Sequence, residues 1–231
     1  LRTQCFGQRL IYVDNLPSTN PALMELAEAG EAEGLLLLAE SQSAGRGRQA
    51  NSWYSPAHKN LYFSLLLRPK LSLRRLPELA LLSALALKQA IENLLPSLQI
   101  GLKWPNDLWV GGKKISGILC EGRDNTQFGL QAIVGIGLNI NCSLKDLPEN
   151  LHSSASSLFI ESGEILDRTR VLAEILQCLE NYYYAWQKED NFAKYCKEWQ
   201  KADVFFNKSI SIKQNKNTIS GIAEGIAEDG R

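Results

Sequence analysis

Residues 40–53, Glu-Ser-Gln-Ser-Ala-Gly-Arg-Gly-Arg-Gln-Ala-Asn-Ser-Trp, concentrate groups suited to chemistry within this 231-residue chain. Arg46 and Arg48 place two permanent positive charges within three residues. Guanidinium groups match phosphate and carboxylate oxygens two at a time. Gly45 and Gly47 permit backbone angles closed to other residues and let a ligand approach closely. Trp53 adds a flat aromatic surface. A Gly-hinged cationic loop beside an aromatic suits a nucleotide with an anionic partner, and it could close over a reactive species and exclude water. The stretch is not a dinucleotide fingerprint, since Ala50 stands in it and no helical pattern follows, nor a P-loop, which ends in Gly-Lys-Ser/Thr. Alone, it reads equally as a solvated basic turn before a core tryptophan.

Other groups add to it. In Lys103-Trp104-Pro105-Asn106-Asp107, Pro105 forces Trp104 out of the helical region, so Lys103, Asn106 and Asp107 cluster at a strand mouth. A solvated turn is the plainer reading of the same residues. Lys113 and Lys114 alternate in direction along a strand, so at most one faces a site on the sheet. Gly117, inside that strand, marks close approach by a ligand or another backbone. The glycines of Gly135-Ile136-Gly137-Leu138-Asn139 thin a later strand in the same way. Ser18, Thr19 and Asn20 precede Pro21 and an apolar periodic run. Asn20 is expected as the N-cap and Pro21 as the first helical residue. Capping alone explains them, although a helix start fed by hydroxyls also presents donors and acceptors to a small polar ligand.

These residues need a scaffold. Strands are expected over Arg9–Val13, Leu35–Ala39, Asn60–Leu67, Gln99–Lys103, Leu108–Val110, Lys113–Glu121 and Leu130–Asn141, with hairpin turns at Gly111-Gly112 and Asp124-Asn125. Helices are expected from Pro21 to near Gly30, over Pro77–Leu95, over Thr169–Lys188 with Tyr182-Tyr183-Tyr184 as packing surface, and over Asn191–Gln200 capped by Asp190 or Asn191. Residues 146–157 read as polar loop. After Asp203 the composition shifts. Ser209–Ile212 alternates, Asn215-Lys216-Asn217 turns, and Ile219–Ile226 returns. This predicts a domain over residues 1–203 and, over 204–231, the opening hairpin of a small β-module whose remaining strands are missing, because a lone hairpin is barely stable.

Composition narrows the function classes. Twenty-five basic residues balance 25 acidic ones, which argues against a dedicated nucleic-acid binder. Cys5, Cys120, Cys142, Cys178 and Cys196 show no metal or redox spacing, and with only His58 and His152 no zinc site is expected. Unpaired cysteines suit a reducing cytosol. No apolar run reaches membrane-spanning length. No signal peptide is visible, although the chain starts at Leu1 without Met.

Taken in order, Gln42 with Gly45-Arg46-Gly47-Arg48, Trp53, Lys103-Trp104-Pro105-Asn106-Asp107, Lys114-Ile115-Ser116-Gly117-Ile118-Leu119 and Gly135-Ile136-Gly137-Leu138-Asn139 resemble the biotin–protein ligases (biotin–acetyl-CoA-carboxylase synthetases). The resemblance runs from about Ile11 into the C-terminal module. It implies an α+β fold, a mixed sheet flanked by helices and followed by a small β-barrel, here truncated. It implies a cytoplasmic enzyme that joins biotin to Mg-ATP as biotinyl-adenylate and passes the biotinyl group to a lysine of a biotin carboxyl carrier protein. By the same resemblance, Ser18, Thr19, Asn20 and Gln42 contact the biotin head and ring, and Gly45, Arg46, Gly47 and Arg48 follow the tail and adenylate. Trp53 stacks on adenine, Lys103, Asn106 and Asn139 hold the nucleotide, and Lys114 reaches the biotin carboxylate and α-phosphate beside Gly117. No protein metal site is implied, Mg²⁺ being held mainly through the ATP phosphates. Asp107 is the candidate to accept or orient the proton of the attacking amine.

The chain departs from the family at Gln49-Ala50-Asn51-Ser52, where a further Gly-Arg pair is usual. Some members carry an N-terminal winged-helix domain and bind DNA. No room exists for one before Ile11, so the monofunctional or a trimmed type is expected, without DNA and with homodimerisation open. Lipoate–protein ligases and octanoyltransferases share the fold superfamily but carry other motifs. A non-catalytic biotin or nucleotide sensor would not need the charges of Lys103 and Lys114.

Overall fold

The run Leu61-Tyr62-Phe63-Ser64-Leu65-Leu66-Leu67 is buried at every position, as a central strand covered on both faces must be. It is the third strand in sequence of a seven-stranded sheet in a computed structural model that describes all residues but 190, 215–216, 228–229 and 231. The strands are β1 (Leu10–Leu16), β2 (Leu36–Gln42), β3 (Leu61–Leu67), β4 (Gly101–Lys103), β5 (Asp107–Val110), β6 (Lys113–Asn125) and β7 (Gly129–Leu138). They form one sheet in the order β1-β2-β3-β7-β6-β5-β4. β1 and β2 are parallel and the other neighbours antiparallel, so the sheet is mixed.

The period of two along β3 divides the molecule. Leu61, Phe63, Leu65 and Leu67 face the larger core with α2 (Leu76–Leu94), α4 (Arg168–Glu189) and α5 (Ala193–Ala202). Leu66 faces a smaller core with Leu23, Met24 and Ala27 of α1 (Thr19–Glu28). Burying an aliphatic side chain of this size contributes about 1.5–3 kcal/mol, so α1 is held chiefly by its apolar stripe. Farther along the same face, apolar residues give way to Ser64, Gly135 and Gly137, which β3 and β7 bring together. Helices therefore flank the sheet, but α1 covers only part of its face. Among the described residues no helix is long and apolar enough to cross a membrane.

Several expectations are corrected. α1 begins at Thr19 with Ser18 as N-cap, not at Pro21 with Asn20 as N-cap. Gln42 Oε1 accepts the Thr19 N–H at 2.9 Å, which frees the Asn20 carboxamide for contacts elsewhere. Pro21 falls third in the helix, where no intrahelical bond is lost. β6 runs through the expected turn at Asp124-Asn125. The chain reverses just beyond it, where Asn125 Oδ1 accepts the N–H of Gln127 at 2.8 Å and of Phe128 at 3.1 Å. The expected loop 146–157 holds a helical turn at Glu149–Leu151 and leads into α3 (Leu158–Ser162), started by Ser157 Oγ accepting the Ile160 N–H. α5 starts at Ala193, whose N–H reaches Asn191 Oδ1 at 3.0 Å. The expected cap Asp190 lies outside the described residues, as do Asn215 and Lys216 of the expected turn.

β8 (Ser209–Gln214) and β9 (Asn217–Ile222) pair antiparallel in a separate two-stranded sheet. β9 thus ends sooner than the expected Ile226. The segment leading to β8 runs beside β4, with the Val204 N–H donating to Leu102 O at 2.9 Å.

Candidate active site

A cavity of about 390 Å³ opens over the glycine-lined part of the sheet, beyond the N-terminus of α1, a size suited to small-molecule sites. It gathers Ser18, Thr19, Asn20, Gln42, Arg46, Gly47, Arg48, Trp53, Lys103, Asn106, Asp107, Lys114 and Gly117 on one wall system. Of the residues singled out in the sequence, Gly45 and Asn139 do not line it.

The polar end is tightly cross-braced. Gln42 joins the Thr19 N–H to Ser55, donating through Nε2 to Ser55 Oγ at 3.0 Å. Asn20 Nδ2 donates to Leu119 O at 3.0 Å and to Glu121 Oε2 at 2.9 Å. Ser64 Oγ lies 2.6 Å from Asn20 Oδ1 and 2.7 Å from Thr19 Oγ1. Its single proton serves one of them at a time.

The floor is backbone. Gly117 and Gly137 are cross-strand partners in β6 and β7. The Trp53 indole lies on them: a Cβ at Gly137 would sit 2.5 Å from Trp53 Nε1, and one at Gly117 would sit 3.1 Å from its Cζ3. A Cβ at Gly135 would meet Asn20 Oδ1 at 2.0 Å. Close approach, expected from these glycines, is what they provide here. Trp53 Nε1 is buried without a hydrogen-bond partner.

The charged side depends on a bulge. Between β5 and β6 the register slips, so that Leu108 pairs with Ser116 but Trp109 with Lys114. Ile115 is the extra residue. Lys114 therefore shares a side with Gly117, whereas strict alternation would oppose them. Lys114 Nζ lies 2.7 Å from Asp107 Oδ1 and 5.2 Å from the centre of the Trp53 ring. The first contact lacks hydrogen-bond alignment, since Asp107 Oδ1 has no hydrogen-bond donor, and is an ion pair. Lys113 turns away, donating to His152 O at 2.9 Å. The Lys114 backbone is clamped on its free edge by bonds to Ser154 O and from the Ser156 N–H, each 2.9 Å.

Other expected ligands are partly occupied within the protein. Lys103 Nζ sits 4.4 Å from the Trp109 ring centre and 5.9 Å from that of Phe205, a cation–π cradle. Asn106 Nδ2 donates to Ile118 O at 2.6 Å. Asn139, expected at the nucleotide, is buried off the cavity. Its Nδ2 donates to Ser156 O at 2.9 Å and its Oδ1 accepts from Asn60 Nδ2 at 3.4 Å. Gly45 closes the neck of the loop, where a Cβ would meet Trp53 O at 2.4 Å.

Residues 45–53 form a small hairpin-like loop, with Trp53 N–H donating to Gly45 O at 2.8 Å and Gly47 N–H to Asn51 O at 2.7 Å. At its tip Gln49 has φ 53° and Ala50 φ 60°. Both lie in the left-handed region that Gly adopts freely and Ala does not. Arg46 Nη2 donates to Glu121 Oε1 at 2.9 Å.

Glu121 was missed in the sequence, yet it stands two and four residues beyond Leu119 and Gly117, on the same face by strand alternation. Glu40 was missed as well. It accepts from Arg168 Nη1 at 2.7 Å, Tyr12 OH at 2.8 Å and the His58 N–H at 2.6 Å. Burial pushes its carboxyl up, but these donors outweigh burial and hold it at about 2. Nothing local in sequence marks a partner 128 residues away.

A family model described as the biotin/lipoate A/B protein ligase family matches residues 11–139. The bifunctional ligase/repressor BirA of Bacillus subtilis is 36% identical over 230 residues, covering 100% of this chain and 70% of the relative. The biotin–(acetyl-CoA-carboxylase) ligase of Mycobacterium tuberculosis is 28% identical, covering 100% of this chain and 86% of its own. Among solved structures, the biotin protein ligase from Aquifex aeolicus in complex with biotin and ATP matches with a TM-score of 0.82 at 30% identity, covering 96% of this chain and 90% of that one. The motifs, the mixed sheet and these matches agree: the chain belongs to the biotin/lipoate A/B protein ligase family.

Proposed function

We propose that this protein is an ATP-dependent biotin–protein ligase, working in the cytoplasm on a biotin carboxyl carrier protein. The observation that carries the reading is the cavity itself. It joins a braced polar end, Ser18, Thr19, Asn20 and Gln42, to a cationic side, Arg46, Arg48 and Lys114, over a glycine floor, in a chain some of whose relatives bear biotin-ligase names.

In the first step a biotin carboxylate oxygen bonds to the α-phosphorus of ATP, the bond to the β-phosphate breaks, and pyrophosphate leaves. Both reactants are anions, so fixed positive charge must offset their repulsion as they meet. Lys114, on a clamped strand, is placed to do this at the reacting atoms, with Arg46 and Arg48 above. The polar end holds the ureido head. The nucleotide lies towards Lys103 and Asn106, with Trp53 moving from the floor to stack on adenine. Among the described residues no group of three or more His, Cys, Asp or Glu could hold a metal, and Asp107 is the carboxylate on the wall. In this reading Mg²⁺ would be held mainly by the ATP phosphates, whose charge it would neutralise.

In the second step a neutral carrier lysine amine bonds to the acyl carbon, the acyl–oxygen bond breaks, and AMP leaves. A free lysine titrates at ~10.4, so the amine must lose a proton. Asp107 accepts or orients that proton once Lys114 engages the ligand. Asp107→Asn slows transfer from preformed biotinyl-adenylate if this is so, and an unchanged transfer rate removes the role. Residues 204–231 are a separate small module in this reading, and a homodimer is compatible with it.

ATP–pyrophosphate exchange tests the whole proposal, run with biotin, lipoate, octanoate and no acid. Exchange with biotin alone supports it. Exchange with lipoate moves the protein to the other branch of its family, and tight biotin binding without exchange makes it a sensor.

A further inference from the structure

Asn20 and Arg46 line two hollows at once: the central cavity and a second one on the outer side, bordered also by Glu25, Glu28 and Arg123. What separates the two is a partition of three side chains from three elements. Glu121 of β6 is its centre. Its Oε2 accepts from Asn20 Nδ2 at 2.9 Å, and its Oε1 accepts from Arg46 Nη2 at 2.9 Å. We propose that Glu121 is a positioning residue that closes this flank by holding Arg46 against Asn20, so that the activated acid neither escapes nor meets water there. The inference rests on the ligase reading of the cavity.

Two of the three members are fixed by the fold. Asn20 is braced by Leu119 O and Ser64, and Glu121 sits in the β6–β7 ladder opposite Ile133. Arg46 alone comes from the loop. The side chains of Arg46 and Glu121 are 47% and 31% exposed. A pair this exposed contributes about 0.2–1 kcal/mol, which favours the closed form by about 1.4- to 5-fold. That is weak enough to open for entering ligand and strong enough to bias closure. When the flank is open, water adds to the acyl carbon of the mixed anhydride, the acyl–oxygen bond breaks, and biotin and AMP are released.

Glu121→Gln isolates the effect. Glutamine keeps a carbonyl for Asn20 Nδ2 but removes the charge that holds Arg46. Biotin-dependent pyrophosphate exchange is expected to stay within about twofold, while AMP release without carrier protein rises about two- to fivefold, in line with the exposed-pair range. Raising the salt concentration narrows the difference, because the wild-type pair is screened. In the protein without substrates, trypsin is expected to cut after Arg46 faster in the variant. Equal AMP release, or exchange lost in step with it, overturns the partition. Equal tryptic cleavage overturns it independently of turnover. Absence of biotin-dependent exchange in the wild type sinks the ligase reading instead, and the tryptic comparison then decides the partition alone.

Discussion

Lys114 and Arg46 point into the same cavity from supports of opposite kind. Lys114 stands on β6, between the β5 ladder and the clamp of residues 154–156, with Asp107 beside it. Arg46 hangs on a loop closed at its neck by the Trp53–Gly45 bond and held at the cavity's flank by one exposed ion pair. Between them lies a third case. Glu40, only six residues before Arg46, is buried and held by Arg168, Tyr12 and the His58 backbone. Identical arginine–carboxylate chemistry thus anchors one end of a short stretch permanently and the other loosely. The difference teaches where precision is needed. Charge that must meet a transition state sits on ladders, and charge that must admit a ligand and then seal it in sits on a hinge.

Variants can break this contrast. Lys114→Ala removes the fixed charge, and biotin-dependent pyrophosphate exchange is expected to fall about 10²–10³-fold. A fall below tenfold would mean that the loop arginines carry the chemistry after all. Glu40→Gln should cost about 1–3 kcal/mol in urea denaturation, by weakening a buried charged network, with little change in exchange. The sign of its pH dependence is fixed. The Glu40 carboxyl is depressed from 4.5 to about 2, so its contribution is present above about 4.5 and is lost as pH falls towards 2. The variant should therefore lose less stability than the wild type over that window, and parallel acid profiles would count against the network. Arg48→Gly should release biotinyl-adenylate up to about fivefold faster, by the loss of one exposed charge contact. Labelling of bystander proteins reads this directly, and unchanged selectivity would show that Arg48 does not seal. Smallest is Ala50→Gly, which relieves left-handed backbone and should gain about 0.5–1 kcal/mol, the strain relieved less the added freedom of glycine when unfolded. A loss of stability would mean that the tip carries no strain.

Much of this contrast is legible in the sequence, and what escapes has physical causes. Gly45-Arg46-Gly47-Arg48 announces a hinged cationic loop, because glycine and arginine declare their properties wherever they stand. The glycines at 117, 135 and 137 announce a thinned sheet surface, and Gly117 meets Gly137 across β6 and β7. The bulge at Ile115 is not visible, since a strand pattern carries no mark of its partner's register, yet it decides the direction of Lys114. Asn20 was read as a helix cap on local grounds. The cap is Ser18 instead, and the first helical N–H is satisfied by Gln42, 23 residues away. Asn139 was assigned by its motif, but the motif does not say on which side of the β7 end its carboxamide falls. The Glu40–Arg168 pair joins residues too distant for any local signal.

Trp53 carries one more consequence. Its indole rests on the peptide planes of Gly117 and Gly137 with the Lys114 ammonium 5.2 Å from the ring centre. Indole emission responds to a neighbouring charge, and of the other tryptophans Trp104 borders the same cavity while Trp186 and Trp199 are buried in the helical layer. An anion that draws Lys114 away, or a base that lifts the ring from its bed, changes the colour and yield of that emission. The protein thereby contains its own optical gauge of the reacting centre, readable in a stopped-flow instrument without any label.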